Sequence, residues 1–219
     1  MSFERSSEYI KSLYSFAIQN DLQRDWFISR DNIDRFVETA VYAYRDYPLF
    51  CYVFGKEYDA ATLSRMMSVD FRSRIGMTAG IASGNDFESV MLLEPPMTGK
   101  VGIIQYTKVA KPSDYPLLLK PSFYRQEAYE SFARKKRQDH MDKKTWYLYL
   151  FATKKEYQKL GFGKKLMEMV RSFADENGCR ICLETDLERN VAIYEHFGFR
   201  MMDASVYKDN LKHFVMLYG

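Results

Sequence analysis

Apolar and polar positions alternate in several distinct ways along the chain. Residues 146–153 (WYLYLFAT) form a nearly unbroken aromatic and aliphatic run, which predicts a strand buried on both faces. Beyond it, Phe162, Leu166, Met169, Val170 and Phe173 recur at helical spacing, so an amphipathic helix is expected to start inside the glycine pair Gly161 and Gly163. Residues 180–185 (RICLET) read as a second strand, 190–199 as a short helix closed by Gly198, and 199–217 as two antiparallel strands. Upstream, Ile10, Leu13, Tyr14 and Ala17 share one face of a helix predicted over 6–23. A short strand is expected at 26–29, a helix at 31–45 with Asp31 as N-cap, and a helix at 60–77. Strands at 79–82 and 88–93 pair around the Gly84-Asn85 turn. Between 94 and 143 the pattern is broken by Pro95, Pro96, Pro112, Pro116 and Pro121, and only a helix from Ser122 to about Arg137 stands out. That stretch exceeds what a simple connection needs and reads as an insertion carrying substrate contacts or a partner surface.

The junction at Gln158-Lys159-Leu160-Gly161-Phe162-Gly163 carries the chemistry. A buried strand entering a helix through a tight glycine turn leaves backbone N–H groups free at the positive end of a helix dipole, a seat for phosphate. A Cβ at either glycine is expected to block close approach to the ligand. The dinucleotide pattern G-x-G-x-x-G fails because Leu occupies position 166, and the G-x-x-x-x-G-K-[ST] loop fails on glycine spacing.

What does fit is Q-x-x-G-x-G. It resembles the acetyl-CoA-binding motif of the GNAT superfamily of N-acetyltransferases. The segment L-E-T at 183–185, then Asn190, then Y-E-x-x-G-F at 194–199 resembles the other half of that family's pattern. The strong likeness covers 146–199. With W-Y-L opening the central strand, FVETAVYAYRDYP at 36–48 and MLLEPP at 91–96, the chain resembles the puromycin N-acetyltransferase-like branch, which does not imply puromycin as the substrate. One departure is Lys155, where the family commonly has Pro; it leaves the strand boundary open by a residue.

The resemblance implies an α/β (α+β) GNAT fold: a mixed, mostly antiparallel central sheet flanked by helices, as one domain over 1–219. A helical extension at 1–24 and the insertion at 94–143 are the embellishments. It implies acetyl-CoA as co-substrate and no metal. The pantetheine arm is expected along the N–H groups of Phe151, Ala152 and Thr153, one of which stabilises the carbonyl oxygen. The pyrophosphate is expected on Gln158, Lys159, Leu160, Gly161, Phe162, Gly163 and Lys164, with Lys154, Lys159, Lys164 and Lys165 either adding charge or simply solvated. Tyr194 is expected to protonate the departing thiolate, unless it only packs beneath the second helix. Asn190 is expected to bond the pantetheine or to cap its helix. Glu184 is either the base for the amine or a structural carboxylate, and deprotonation through water needs no side chain. The acceptor is read as a primary amine of a small molecule; a protein or peptide amine, and a non-catalytic acyl-CoA-binding module, are the alternatives.

Composition changes little. No window supplies the 18 uncharged apolar residues of a membrane span, and MSFERSSEYI has charges where a signal peptide has its apolar stretch. Three cysteines suit a reducing cytoplasm, and Cys179-Arg-Ile-Cys182 enters a strand, so core thiols are expected rather than redox chemistry. A net charge of +3 and the short basic run at 134–137 do not call for nucleic acid, and a homodimer is compatible with the reading. His140 reads as a surface residue, and His196 and His213 have no visible partners. The 17 Tyr and 16 Phe fit either an amphipathic pocket or core.

Overall fold

The computed structural model describes residues 3–55, 59–99 and 101–219, with side chains from Ser6 onward. The first two residues of the expected N-terminal extension, and residue 100 within 94–143, lie outside these. Among the described residues, helices α1 (Phe3–Gln19), α2 (Ile33–Tyr44), α3 (Pro48–Phe54) and α4 (Ala60–Arg74) precede strands β1 (Ala79–Ser83) and β2 (Ser89–Glu94). Helices α5 (Ile103–Val109), α6 (Tyr115–Leu118) and α7 (Pro121–Gln138) come next, then β3 (Thr145–Thr153), α8 (Phe162–Asn177), β4 (Arg180–Thr185), α9 (Glu188–His196), β5 (Arg200–Val206) and β6 (Lys212–Tyr218).

The six strands form one sheet in the order β1-β2-β3-β4-β6-β5. Every pairing is antiparallel except β3 with β4. The expected mixed, mostly antiparallel sheet flanked by helices is therefore observed. On one face α8 and α1 lie side by side on the sheet. Trp146 there meets Phe173 and Tyr9 edge-on at 5.6 and 6.0 Å. Leu13 and Ala17 of α1 are wholly buried, and the Tyr14 hydroxyl donates to the Gly80 carbonyl and accepts from its N–H. On the other face α2 buries Phe36, Val37 and Ala40 at helical spacing, and α4 packs beside it, capped by Asp59, which accepts from the Thr62 N–H at 2.6 Å.

Local chemistry moved several boundaries. The strand expected at 26–29 is a 3-10 turn (Arg24–Trp26) and a single bridge from Phe27 to Ile81. The Asn32 side chain binds the Phe27 and Asp25 carbonyls and the Ser29 N–H, which competes with a ladder. For the same reason Asp31 is not the cap of α2: the helix starts at Ile33, and Asn32 at its entry makes no side-chain cap bond. The helix expected to reach 77 stops at Arg74, where Gly76 turns the chain with φ +81°. Pro48 opens α3 at its first turn. The proline-broken segment holds α5 and α6 as well as the expected long helix, which Pro121 opens.

Strand β3 is irregular in two places. Leu92 pairs with Leu150 and Leu93 with Leu148, so Tyr149 is an extra, bulged residue. The β3–β4 ladder stops at Leu148–Leu183, although β3 runs on to Thr153 and β4 to Thr185. The two parallel strands thus separate at the centre of the sheet.

Candidate active site

The turn into α8 is a cradle of free N–H groups. Lys159 and Gly161 take left-handed backbone conformations, φ +66° and +95°. The first bond of α8 that reaches into the turn runs from Lys165 N–H to the Gly161 carbonyl, at 2.9 Å. Among the described residues no acceptor takes the N–H of Lys159, Gly161, Phe162, Gly163 or Lys164. Such a group of donors at a helix start fits a pyrophosphate. The two glycines serve different ends within the protein. At Gly161 a Cβ would meet nothing within 4 Å; the need is for its left-handed backbone. At Gly163 a Cβ would lie 2.9 Å from Thr153 Oγ1 and 3.1 Å from Phe151 Cζ, so that glycine lets α8 close on the end of β3. Gly163→Ala is expected to cost about 1–3 kcal/mol through overpacking and to weaken coenzyme binding; urea denaturation and titration with coenzyme A check both.

Of the four lysines, two are engaged elsewhere. Lys154 Nζ donates to the Asp86 carbonyl at 2.9 Å, and Lys165 Nζ donates to the Asp21 carbonyl at 3.2 Å and lies over the Trp26 ring. Lys164 is exposed beside the turn, 3.6 Å from Glu168.

Beyond the bulge, β3 presents backbone to the gap. The Ala152 carbonyl accepts from Ser89 Oγ at 3.0 Å, and the Lys154 N–H donates to the Glu88 carbonyl at 2.9 Å, so Ala152 and Lys154 face β2. By alternation Phe151 and Thr153 face the gap toward β4. The Phe151 carbonyl there accepts from the Tyr44 hydroxyl at 3.1 Å, while its N–H has no strand partner. Of the three amides proposed from sequence, those of Phe151 and Thr153 thus open on the gap and that of Ala152 does not.

Helix α9 lies at the open end of β4. Tyr194 is buried, its ring edge-on to Phe199 at 5.9 Å, and its hydroxyl has no hydrogen-bond partner among the described residues. Burial, reinforced by Tyr44, pushes this phenol well above the ordinary tyrosine range, so it keeps its proton at any working pH. Asn190 Nδ2 donates to Thr185 Oγ1 at 3.1 Å. Asn190 sits in the first turn of α9 rather than at its cap, which is Leu187. Thr185 Oγ1 also takes the Leu187 N–H and meets the Tyr47 hydroxyl at 3.2 Å. These bonds fasten the end of β4 to both helices.

Beneath the gap lies an ionic network. Arg137 Nη1 reaches Glu184 at 3.1 and 3.3 Å, and its Nη2 reaches Glu130 at 2.6 Å. The Tyr147 hydroxyl donates to Glu184 at 2.5 Å. Burial alone would raise the Glu184 carboxyl, but Arg137, His213 and Tyr147 outweigh it and hold it at about 2. A carboxylate held so tightly is a feeble proton acceptor, and its bonds match the structural reading of Glu184. His213, expected to be without partners, is fully buried with Nδ1 2.9 Å from the Tyr129 hydroxyl and 3.4 Å from Asp186. Its Nε2 stands 3.5 Å from Glu184 without hydrogen-bond geometry, so that contact is one of charge. Burial opposes its charge, yet Asp186 and Glu184 hold the imidazolium at about 9. The Tyr129 hydroxyl donates a short hydrogen bond to Asp186 Oδ1.

This network forms one wall of a cavity that α2, α4, α5 and α7 close over β3. Its lining includes Tyr44, Tyr47, Tyr106, Tyr129, Tyr147 and Tyr149. The far wall holds Arg74, stacked on Tyr149 at 3.7 Å, paired with Asp70 at 3.0 Å and in a short contact with Glu94. Asp70, Glu127, Glu130, Glu184 and Asp186 all line the cavity, against Arg74 as its one lining cation among the described residues. An acidic, aromatic hollow of this kind favours a cation.

Sequence reasoning missed Tyr44, Tyr47, Tyr129, Asp186 and both buried arginines. The partners lie far apart in the chain: 57 residues separate Tyr129 from Asp186, and 139 separate Tyr47 from the Asp186 N–H it holds. Asp186 alone left a trace, as the residue directly after L-E-T.

Residues 122–218 match the family model of the acetyltransferase (GNAT) domain. Over 80 residues the chain is 38% identical to an uncharacterized N-acetyltransferase of Schizosaccharomyces pombe, a match covering 36% of this chain and 30% of that protein, so less than a third of the relative's length is spanned. A histone acetyltransferase HPA2 and related acetyltransferase from Corynebacterium glutamicum superposes with a TM-score of 0.59 at 17% identity, over 87% of this chain and 92% of that one. Arylalkylamine N-acetyltransferase 2 from Aedes aegypti gives 0.54 at 14% identity, over 88% and 97%. At these identities the likeness to both is one of fold alone.

Proposed function

We propose that this chain, which carries a GNAT acetyltransferase domain over residues 122–218, is an acetyl-CoA-dependent N-acetyltransferase that transfers directly within a ternary complex. The observation that carries the reading is the pairing of two free donor sets on one strand–turn–helix unit: the N–H groups of Lys159, Gly161, Phe162, Gly163 and Lys164, and the gap-facing Phe151 N–H at the end of β3. They match the two parts of acetyl-CoA that need donors, the pyrophosphate and the thioester carbonyl. The bound thioester supplies the activated acetyl group. The Phe151 N–H is preset for charge developing on the carbonyl oxygen, a contribution on the order of 3 kcal/mol where such a donor has been removed from an enzyme. Tyr194 holds a proton for the sulfur. Asn190 and Thr185 fix the rim of the gap.

The acceptor is a small-molecule primary amine, which the acidic, tyrosine-lined cavity suits as its ammonium form. The name of the arylalkylamine N-acetyltransferases among the structural neighbours is in keeping with that. The sequence likeness to the puromycin N-acetyltransferase-like branch supports a place near it without naming the acceptor. No helix among the described residues is long and apolar enough to cross a membrane. Cys51, Cys179 and Cys182 are free thiols, in keeping with the cytoplasm.

The test is release of free thiol from acetyl-CoA with a panel of aminoglycosides, nucleoside antibiotics, polyamines, arylalkylamines and peptides. At least one small amine is expected to give sustained turnover. Coenzyme binding with no thiol release across the panel would instead mark a non-catalytic acyl-CoA-binding module, and release with peptides alone a protein acceptor.

A further inference from the structure

Given an N-acetyltransferase, we propose that Asp186 seats the acceptor's ammonium group and takes its proton, through the carboxylate oxygen that the protein leaves unpartnered on the cavity wall. The Asp186 side chain is 5% exposed and lines the cavity. Its Oδ1 is occupied by the Tyr129 hydroxyl and His213 Nδ1, and its N–H donates to the Tyr47 hydroxyl at 2.8 Å, so the carboxyl plane is fixed. Oδ2 has no partner among the described residues. Oδ2 is not sealed among the fully buried atoms but keeps access to the cavity that Asp186 lines, so a ligand's N–H can reach it.

Its place in the fold is equally pointed. Asp186 is the first residue past β4, across the strand gap from the free end of β3. Tyr44, which holds the Phe151 carbonyl, lies edge-on to Tyr47 at 4.9 Å. Burial raises the phenols of Tyr44, Tyr47 and Tyr194, with the charge of Asp186 adding to the first two and Tyr44 to the third. Asp186, Tyr44 and Tyr47 line one cavity, and Tyr44 joins it to the Phe151 carbonyl at the free end of β3. Glu184, two residues earlier, is saturated by Arg137, Tyr147 and His213, and cannot take this role.

The groups facing Asp186 are His213 of β6, Tyr129 of α7, Glu184 of β4, and Tyr44 and Tyr47 at the α2–α3 corner. Burial lifts its carboxyl above the ordinary aspartate range despite His213 and Tyr129, which makes it a better proton acceptor than a solvated one. The ammonium gives one proton to Oδ2, and the freed lone pair forms the N–C bond as the C–S bond breaks. Tyr194 gives its hydroxyl proton to the sulfur and is restored by the second proton from nitrogen. Asp186 returns its proton to solvent through the cavity mouth, which closes the proton balance.

The experiment compares wild type with Asp186→Asn, using the panel amine turned over fastest and its β,β-difluoro analogue, whose nitrogen is far less basic. For the parent amine kcat/KM is expected to fall on the order of 10²-fold or more, and for the analogue by less than about 10-fold, since it needs no base. Acetyl-CoA affinity is expected to hold. Equal losses for both amines, or none, overturn the assignment. Tyr129→Phe provides a second, milder readout: loss of a donor to Oδ1 raises the basicity of Asp186, so the acidic limb of kcat/KM against pH moves upward. A limb that stays in place overturns the assignment as well. A wild type that turns over no amine overturns the proposed function itself, whereas an active wild type indifferent to both substitutions overturns only the role of Asp186.

Discussion

Tyr194→Phe is expected to lower kcat on the order of 10²-fold while changing affinity for acetyl-CoA by less than about 2-fold. Phenylalanine keeps the ring, so the edge-on packing against Phe199 is retained. No hydrogen bond inside the protein is lost, because the Tyr194 hydroxyl has no partner among the described residues. Stability should therefore change little, and the substitution isolates one O–H group. Burial and Tyr44 hold that phenol above the ordinary tyrosine range, which suits a donor that must still carry its proton when the sulfur needs it. An interaction made only in the transition state lowers kcat and kcat/KM together. Steady-state kinetics beside calorimetric titration of coenzyme A give both quantities, and an unchanged kcat would reduce Tyr194 to a packing residue.

Arg137→Ala is expected to be the most damaging single change for stability, about 3–5 kcal/mol, the usual cost of stripping one partner from a buried pair. Arg137 is 4% exposed, bonded to Glu184 and Glu130 and stacked on Tyr147 at 4.3 Å. Its removal leaves Glu184 charged in the interior. The pH dependence identifies the cause. Glu184 is held at about 2 against an ordinary 4.5, so in the wild type it contributes on the order of 3 kcal/mol of stability. That contribution is present above pH 4.5 and lost as pH falls toward 2. His213 has the opposite sign: raised to about 9 from 6.5, its contribution is full below pH 6.5 and lost as pH rises through 9. The deficit of Arg137→Ala, measured by urea denaturation, should thus be large at neutral pH and shrink in acid. A deficit equal at both would mean that Arg137 matters for its packing and not its charge.

The proposed donor half of the site was legible in the sequence because one continuous stretch builds it. The apolar run, the glycine turn and the helical spacing of Phe162, Leu166, Met169 and Val170 succeed one another without a break, and each has a local physical meaning. The bulge at Tyr149 was hidden by that same run: when both faces of a strand are buried, alternation carries no mark of a residue that changes side. The proposed acceptor half is assembled by tertiary contact alone. Tyr47, Tyr129, Asp186 and His213 come from α3's entry, α7, the end of β4 and β6, and no spacing links them. His213 looked unpartnered for this reason. Asp31 was passed over as a cap because Asn32 next to it has the better reach to three backbone groups. The glycines were seen, but whether each answered to a ligand, a left-handed turn or a neighbouring strand could be decided only with Thr153 and Phe151 in place.

The fate of the acetyl group itself decides whether the chain is an N-acetyltransferase. With acetyl-CoA labelled in the acetyl carbonyl and the best amine of the panel, the label is expected on the amine nitrogen, mole for mole with free coenzyme A, and neither product is expected without the amine. Label recovered as free acetate, or retained on coenzyme A while the protein binds it, would contradict an N-acetyltransferase.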